Sequence, residues 1–230
     1  LGPVRELDVA AGMIDALVQG DADVERLRET WLFRLDRQRH APVRALHKAL
    51  SPRLRDRLDR ELEAFAAARS ASRDDAWRDA LAERLAARAG DLRRQIAWAG
   101  ALYRPEPLHD VRIATKKLRY ALEITGESRR AAVARPLRTL KAAQESLVGL
   151  HDLDVLYTML HEVPEAAPDE ALHRAAAVVI ATLEQQSRHL HARYLRMRTS
   201  LVRVADLTAT VVAPRVRRRS VDRRETADGE

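Results

Sequence analysis

No cysteine occurs among the 230 residues, which excludes disulfides, thiolate metal sites and a cysteine nucleophile and fits a reducing compartment. Aromatic side chains make up only 4% of the chain and there are eight glycines, too few of either for a sheet protein. The expectation is therefore an all-α fold. No run of 18 apolar residues exists to span a bilayer, and the N-terminus has no basic-then-apolar leader pattern, so a soluble, cytoplasmic protein without membrane partners is expected. Three further patterns are missing: a phosphate-cradling Gly-x-x-x-x-Gly-Lys loop, a Gly-x-Ser-x-Gly nucleophile turn, and histidines spaced (i, i+4). His189 and His191, two apart, face different sides of a helix. Neither a metal, a cofactor nor catalysis is expected.

What the chain has in quantity is charge. Lys and Arg number 41 against 34 Asp and Glu, for a net charge of +7, so the partners in view are polyanions: nucleic acid, polyphosphate or an acidic surface. The apolar residues recur with helical period. Val9, Met13, Ile14 and Leu17 mark a first helix, stopped by Gly20. Val24, Leu27, Trp31 and Leu35 form the buried face of a second, which Pro42 should kink or split. Ser51-Pro52 opens a third with Leu54, Leu58, Leu62 and Phe65 inward. Ser72 caps a fourth, with Trp77, Leu81 and Leu85 at its core, running through Gly90 towards Leu102. Thr125-Gly126 should end the next helix, Pro136 begin another with Leu137, Leu140 and Leu147 inward, and Asp152 begin one more, ended by Pro164. A long helix from about Pro168 to Ser200 carries Leu172, Ala176, Ile180 and Leu183 inward. Residues 214–230 carry charge without period and are expected to be a disordered basic tail.

One stretch concentrates the charge. Wound as a helix, Pro107 to Glu123 places His109, Arg112, Lys116, Arg119 and Tyr120 on one stripe and Val111, Ala114, Leu118 and Leu122 opposite. Asp110 lies off the stripe and only Glu123 joins it, leaving a ladder of cations about 15 Å long for an extended anion. The plainer reading, a solvated basic face, stays open on charge pattern alone. Lys117 points about a third of a turn away, so only its flexible stem would bring it to a ligand.

An internal repeat is also present. Setting Leu1 on Leu147 pairs Leu7 with Leu153, Asp8 with Asp154, Val9 with Val155 and Met13 with Met159. The copy at Leu147 is preceded by the ladder helix and a linking helix. The copy at Leu1 has no counterpart of these before it, so the first repeat reads as incomplete.

His109-Asp-Val-Arg112-Ile-Ala-Thr-Lys116-Lys117-Leu-Arg119-Tyr120-Ala-Leu-Glu123 resembles the signature of the CHAD family, the conserved histidine α-helical domain. Leu1-Gly-Pro-Val-Arg5-Glu-Leu-Asp8-Val is similar to the segment that follows the family's first signature. The resemblance implies two repeated bundles of the antiparallel four-helix type around a basic groove. On this chain that means a CHAD-like domain over 1–213, with a truncated first repeat at 1–72 and a second at 73–213. It further implies binding of inorganic polyphosphate, association with polyphosphate granules, and a CYTH-type phosphatase domain in the same or a neighbouring protein. Carried over position by position, the implied ligand contacts are His109, Arg112, Lys116, Lys117 and Arg119, with Arg5 from the other half. Arg5 beside Glu6 and Asp8 reads equally as a structural ion pair. The order Leu-Val-Gly-Leu-His-Asp near Leu147 departs from the family's Leu-Gly pattern by one place, which bears on an expected turn there. Nucleic acid is the alternative ligand, since the same cations would grip a phosphodiester chain, although few aromatics stand near the ladder for base stacking.

Overall fold

The computed structural model describes residues 2–16, 21–71, 76–161 and 170–211, without the side chains of 68–71, 76–79, 126–132 and 210–211. Its regular structure there is entirely helical: α1 (Gly2–Ala16), α2 (Ala22–Ala49), α3 (Pro52–Ala71), α4 (Ala76–Ala99), α5 (Pro105–His161) and α6 (Glu170–Val211). The expected all-α bundle is what forms. None of these helices is long and apolar enough to cross a membrane. Gly20, Ser72, Pro164, Pro168 and the tail at 214–230 lie outside the described residues, as does the side chain of Trp77.

Local signals account for several boundaries. Asp21 caps α2, its carboxylate accepting from the backbone N–H of Asp23 at 2.9 Å and of Val24 at 3.5 Å. Gly100 closes α4 four-square with a φ of 65°, a left-handed conformation that a side chain would strain. Arg104 then donates to the Trp98 carbonyl at 2.7 Å, satisfying one of the free acceptors at that end. Pro105 and Pro107 both fall in the first turn of α5, where a missing N–H loses no bond.

The helix α5 departs most from expectation. Helical assignment continues through Gly126, Pro136 and Asp152, with no new start at either of the last two. Yet Arg119 donates to Gln144 at 2.8 Å, and the rings of His109 and His151 lie 4.9 Å apart. In a straight helix those pairs would be separated by about 38 and 63 Å. The run therefore folds back on itself, giving a first arm up to residue 125 and a second from residue 133, packed side by side. Gly149 marks a close approach rather than a turn, since a Cβ there would sit 2.8 Å from Leu190 Cδ1 of α6.

Two apolar clusters result. The first joins Leu85, Leu92 and Ile96 of α4, both arms of α5, and Tyr194, Leu201 and Val204 of α6. The second joins Leu7, Ala10 and Ile14 of α1, the α2 face of Val24, Leu27, Trp31 and Leu35, the end of α5 at Leu153, Leu156 and Leu160, and Ala175, Val179 and Leu183 of α6. Leu172, Ala176 and Ile180 pack against it partly buried. On α1 the innermost residues are Leu7, Ala10 and Ile14, with Met13 partly buried beside them, a small rotation of the expected face. Both clusters draw on α5 and α6, and α6 runs through the two as one rod about 63 Å long.

Two expectations are corrected. Pro42 does not split α2, which continues to Ala49; the turns around it lie on the mostly exposed C-terminal half, where a lost hydrogen bond can be replaced by water. The apolar face of α3 is not inward: Leu58, Leu62 and Phe65 are exposed, because no described element packs along that helix.

Candidate functional site

The first arm of α5 presents its cations as a stripe because its opposite face is consumed by the core: Val111, Ala114, Leu118 and Leu122 are all buried. His109, Arg112 and Arg119 are half-buried, while Lys116, Lys117 and Tyr120 are exposed. At the foot of the stripe Arg112 Nη2 lies 3.4 Å from His109 Nδ1, and the His109 ring meets His151 of the second arm edge to face. Asp152 follows His151, and the start of α1 brings Arg5 and Glu6 within electrostatic range of Arg112. Five of the six expected contacts thus share one helix, and the sixth, Arg5, comes to its foot from another.

The charges here are not matched in the way surface charges usually are. Among the described residues Arg5, Arg112, Lys116 and Lys117 make no ion pair, and the Nε of Arg112 is buried without any hydrogen-bond acceptor. An unsatisfied buried donor on a charged group is costly to the free protein and is relieved by an acceptor, above all an anionic one. Arg119 behaves differently. Its side chain is only 16% exposed and is held by Gln144 at 2.8 Å and Glu123 at 2.7 Å, so it staples the two arms of α5 together. Lys141 of the second arm reaches the same Glu123 at 3.8 Å. The Arg119 guanidinium also lies 4.3 Å from the centre of the Tyr120 ring.

Burial pulls the Arg112 guanidinium down from its ordinary value, with Asp152 acting against this and Arg5 with it. Burial likewise lowers the His151 imidazole, Arg112 and His109 adding to the effect. Asp152 is pushed up by burial, against the pull of Arg5, His151 and Arg112. All three shifts work against the charged form, and a phosphate beside His151 would act the other way on it, favouring the imidazolium.

His151 and Asp152 were not among the expected contacts, although the repeat contains the signal. The same register that sets Leu1 on Leu147 sets Arg5 on His151 and Glu6 on Asp152. Both copies thus deliver a basic–acidic pair to Arg112, one from α1 and one from the second arm of α5. A cavity of about 260 Å³ opens beside them, lined by Tyr103, Glu106, His109, Leu147 and His151 among others.

A family model described as the CHAD domain matches residues 1–161, which takes in α1 to α5 and with them every residue of this cluster. The chain belongs to the CHAD family. CHAD domains are associated in general with polyphosphate binding. The match stops before α6, although in this CHAD protein α6 completes both clusters. No curated protein and no solved structure matches the chain.

The lowered His151 predicts a pH effect on the free protein. An imidazole that resists protonation when folded takes up its proton more readily unfolded, so stability associated with His151 is fully present above the unfolded value and is lost as pH falls through it. Replacing His151 by Gln should reduce the fall in melting temperature between about pH 7.5 and 5.5, where unfolded histidine titrates, leaving the part due to the similarly buried His191. A parent melting curve that is already flat over that range would contradict the assignment.

Proposed function

We propose that this chain binds inorganic polyphosphate without catalysing its conversion, along the face formed by His109, Arg112, Lys116, Lys117 and Arg119, with Arg5 and His151 closing its lower end. The observation that carries this reading is the buried, acceptorless Nε of Arg112 at the foot of a row whose lysines have no carboxylate partner among the described residues. Phosphate oxygens supply what those donors lack, in any number along a strand. Arg112 is the anchor, Lys116 and Lys117 add charge by flexible reach, and Arg119 fixes the frame while offering the outer edge of its guanidinium. Association with polyphosphate granules, a cytoplasmic setting and a CYTH-type phosphatase partner belong to the same reading.

Nucleic acid is the second reading, and Tyr120 favours it. That ring is exposed on the stripe between Lys116 and Arg119, their charged groups 5.8 and 4.3 Å from its centre, a platform on which a base could stack. Competition of polyphosphate against duplex DNA and single-stranded RNA at fixed salt separates the two. Polyphosphate is expected to win, having charge without sugar or base to accommodate, and its affinity should fall steeply and log-linearly with salt. Tighter RNA binding that is lost in Tyr120→Ala would transfer the assignment to nucleic acid.

A further inference from the structure

The two copies of the repeat treat one aspartate differently. Asp8 of α1 has a guanidinium on it: Arg39 of α2 donates through Nε to Oδ1, with Nη2 3.5 Å from Oδ2. Its counterpart Asp154, on the second arm of α5, has no hydrogen bond or ion pair to its carboxylate among the described residues. Beside it there is a cavity of about 380 Å³, lined by Asp154 and Tyr157 of α5, by Glu184, Ser187, Arg188 and His191 of α6, and by the linker at Tyr103.

The wall chemistry defines what would fill it. Arg188 is turned to Glu184 at 3.6 Å, so those two charges compensate each other and Asp154 is left over. Burial, reinforced by Glu106 and opposed by His151, pushes the Asp154 carboxyl up. Burial holds His191 down, towards its neutral form. Its ring stands 5.4 Å from that of Tyr103, edge on, and Tyr157 supplies a further aromatic face. In a protein of net charge +7, this is a local pocket of the opposite character.

We propose that this cavity binds a small organic cation, its ammonium or guanidinium group on Asp154 and its carbon skeleton among Tyr103, Tyr157 and His191. Aromatic faces attract organic cations with thin hydration shells, and the volume suits a ligand of metabolite size. A divalent metal is the poorer fit, because among the described residues no three metal-ligating side chains of the His, Cys, Asp or Glu type gather. This cavity shares Tyr103, Pro105 and Asp154 with the one beside His109 and His151, so the test is run in the absence of polyphosphate.

Titration calorimetry of the full chain with agmatine, at constant ionic strength and without polyphosphate, tests it. Saturable binding at one site is expected, weakened at least about tenfold in Asp154→Asn, the loss of a charged hydrogen-bond partner. Asp8→Asn should leave agmatine affinity within about twofold of the parent, since Asp8 faces Arg39 instead. Ser187→Arg places a guanidinium on the cavity wall, as Arg39 stands beside Asp8, and should abolish agmatine binding even if Asp154→Asn folds poorly. No saturable binding by the parent, undiminished affinity in Asp154→Asn or Ser187→Arg, or magnesium binding with the same dependence on Asp154, would each overturn the proposal.

Discussion

Replacing Trp31 by Ala should remove about 3–5 kcal/mol of stability, the range for deleting a buried large aromatic side chain. Trp31 is 5% exposed and is the largest side chain that α2 contributes to the second cluster, where it packs with Leu27 and Leu35 of its own helix against α1, α5 and α6. The surroundings cannot close over the loss easily, since long rigid helices line the gap on several sides. α1 is held mainly through this cluster, so the variant should also loosen Arg5 while leaving Arg112 in place. Urea unfolding gives the stability change, and polyphosphate titration below the melting temperature gives the second effect, a modest rise in Kd. A shift under about 1 kcal/mol, the usual scale for surface changes, would mean that α2 is not anchored through Trp31.

Arg112→Ala makes the opposite pattern. Affinity for polyphosphate should fall by about 1.5–3 kcal/mol, the range for a hydrogen bond to a charged group, or on the order of 10- to 100-fold in Kd. Stability should hold or rise slightly, because Ala is the best helix former and the change removes a buried donor that has no acceptor. Arg119→Ala differs in kind: it breaks the bond to Gln144 that joins the arms of α5, and the one to Glu123 within the first arm, so its melting temperature should drop together with binding. Arg112→Lys keeps the charge and loses the planar fork, and should recover only part of the affinity. Parent-like binding by Arg112→Ala, in a folded protein, would remove the anchor from the proposed site.

How much was legible in the sequence depends on what each residue had to report. Amphipathic period speaks directly about which face is inward, and it placed Val24, Leu27, Trp31 and Leu35 on α2 and Val111, Ala114, Leu118 and Leu122 on α5, all of which are buried. It says nothing about what an apolar face meets, so Leu58, Leu62 and Phe65 looked identical to core residues while standing in the open. Pro136 and Asp152, read as helix starts, both lie inside α5. The fold-back of α5 falls where Thr125-Gly126 and Pro136 mark an end and a new start, but local pattern says nothing about which residues of the two arms would meet, and so the approach of His109 to His151 across 42 positions of sequence was missed. The repeat register was the one clue that could have found His151, by equating it with Arg5.

The rod formed by α6 also sets a dimension. Arg5 rides on the cluster that contains the first half of α6, and Arg112 on the cluster that contains the second half. Between Leu183 and Leu190 the helix carries mostly exposed side chains, so there its direction is maintained chiefly by its own backbone and by the second arm of α5 beside it. The second arm of α5 passes through the same two clusters and α1 packs on α5 directly, so the placing of Arg5 relative to Arg112 rests on two neighbouring helices held in parallel. A glycine introduced at Gln185 or Gln186 would touch neither guanidinium and would soften one of the two helices that tie their clusters together.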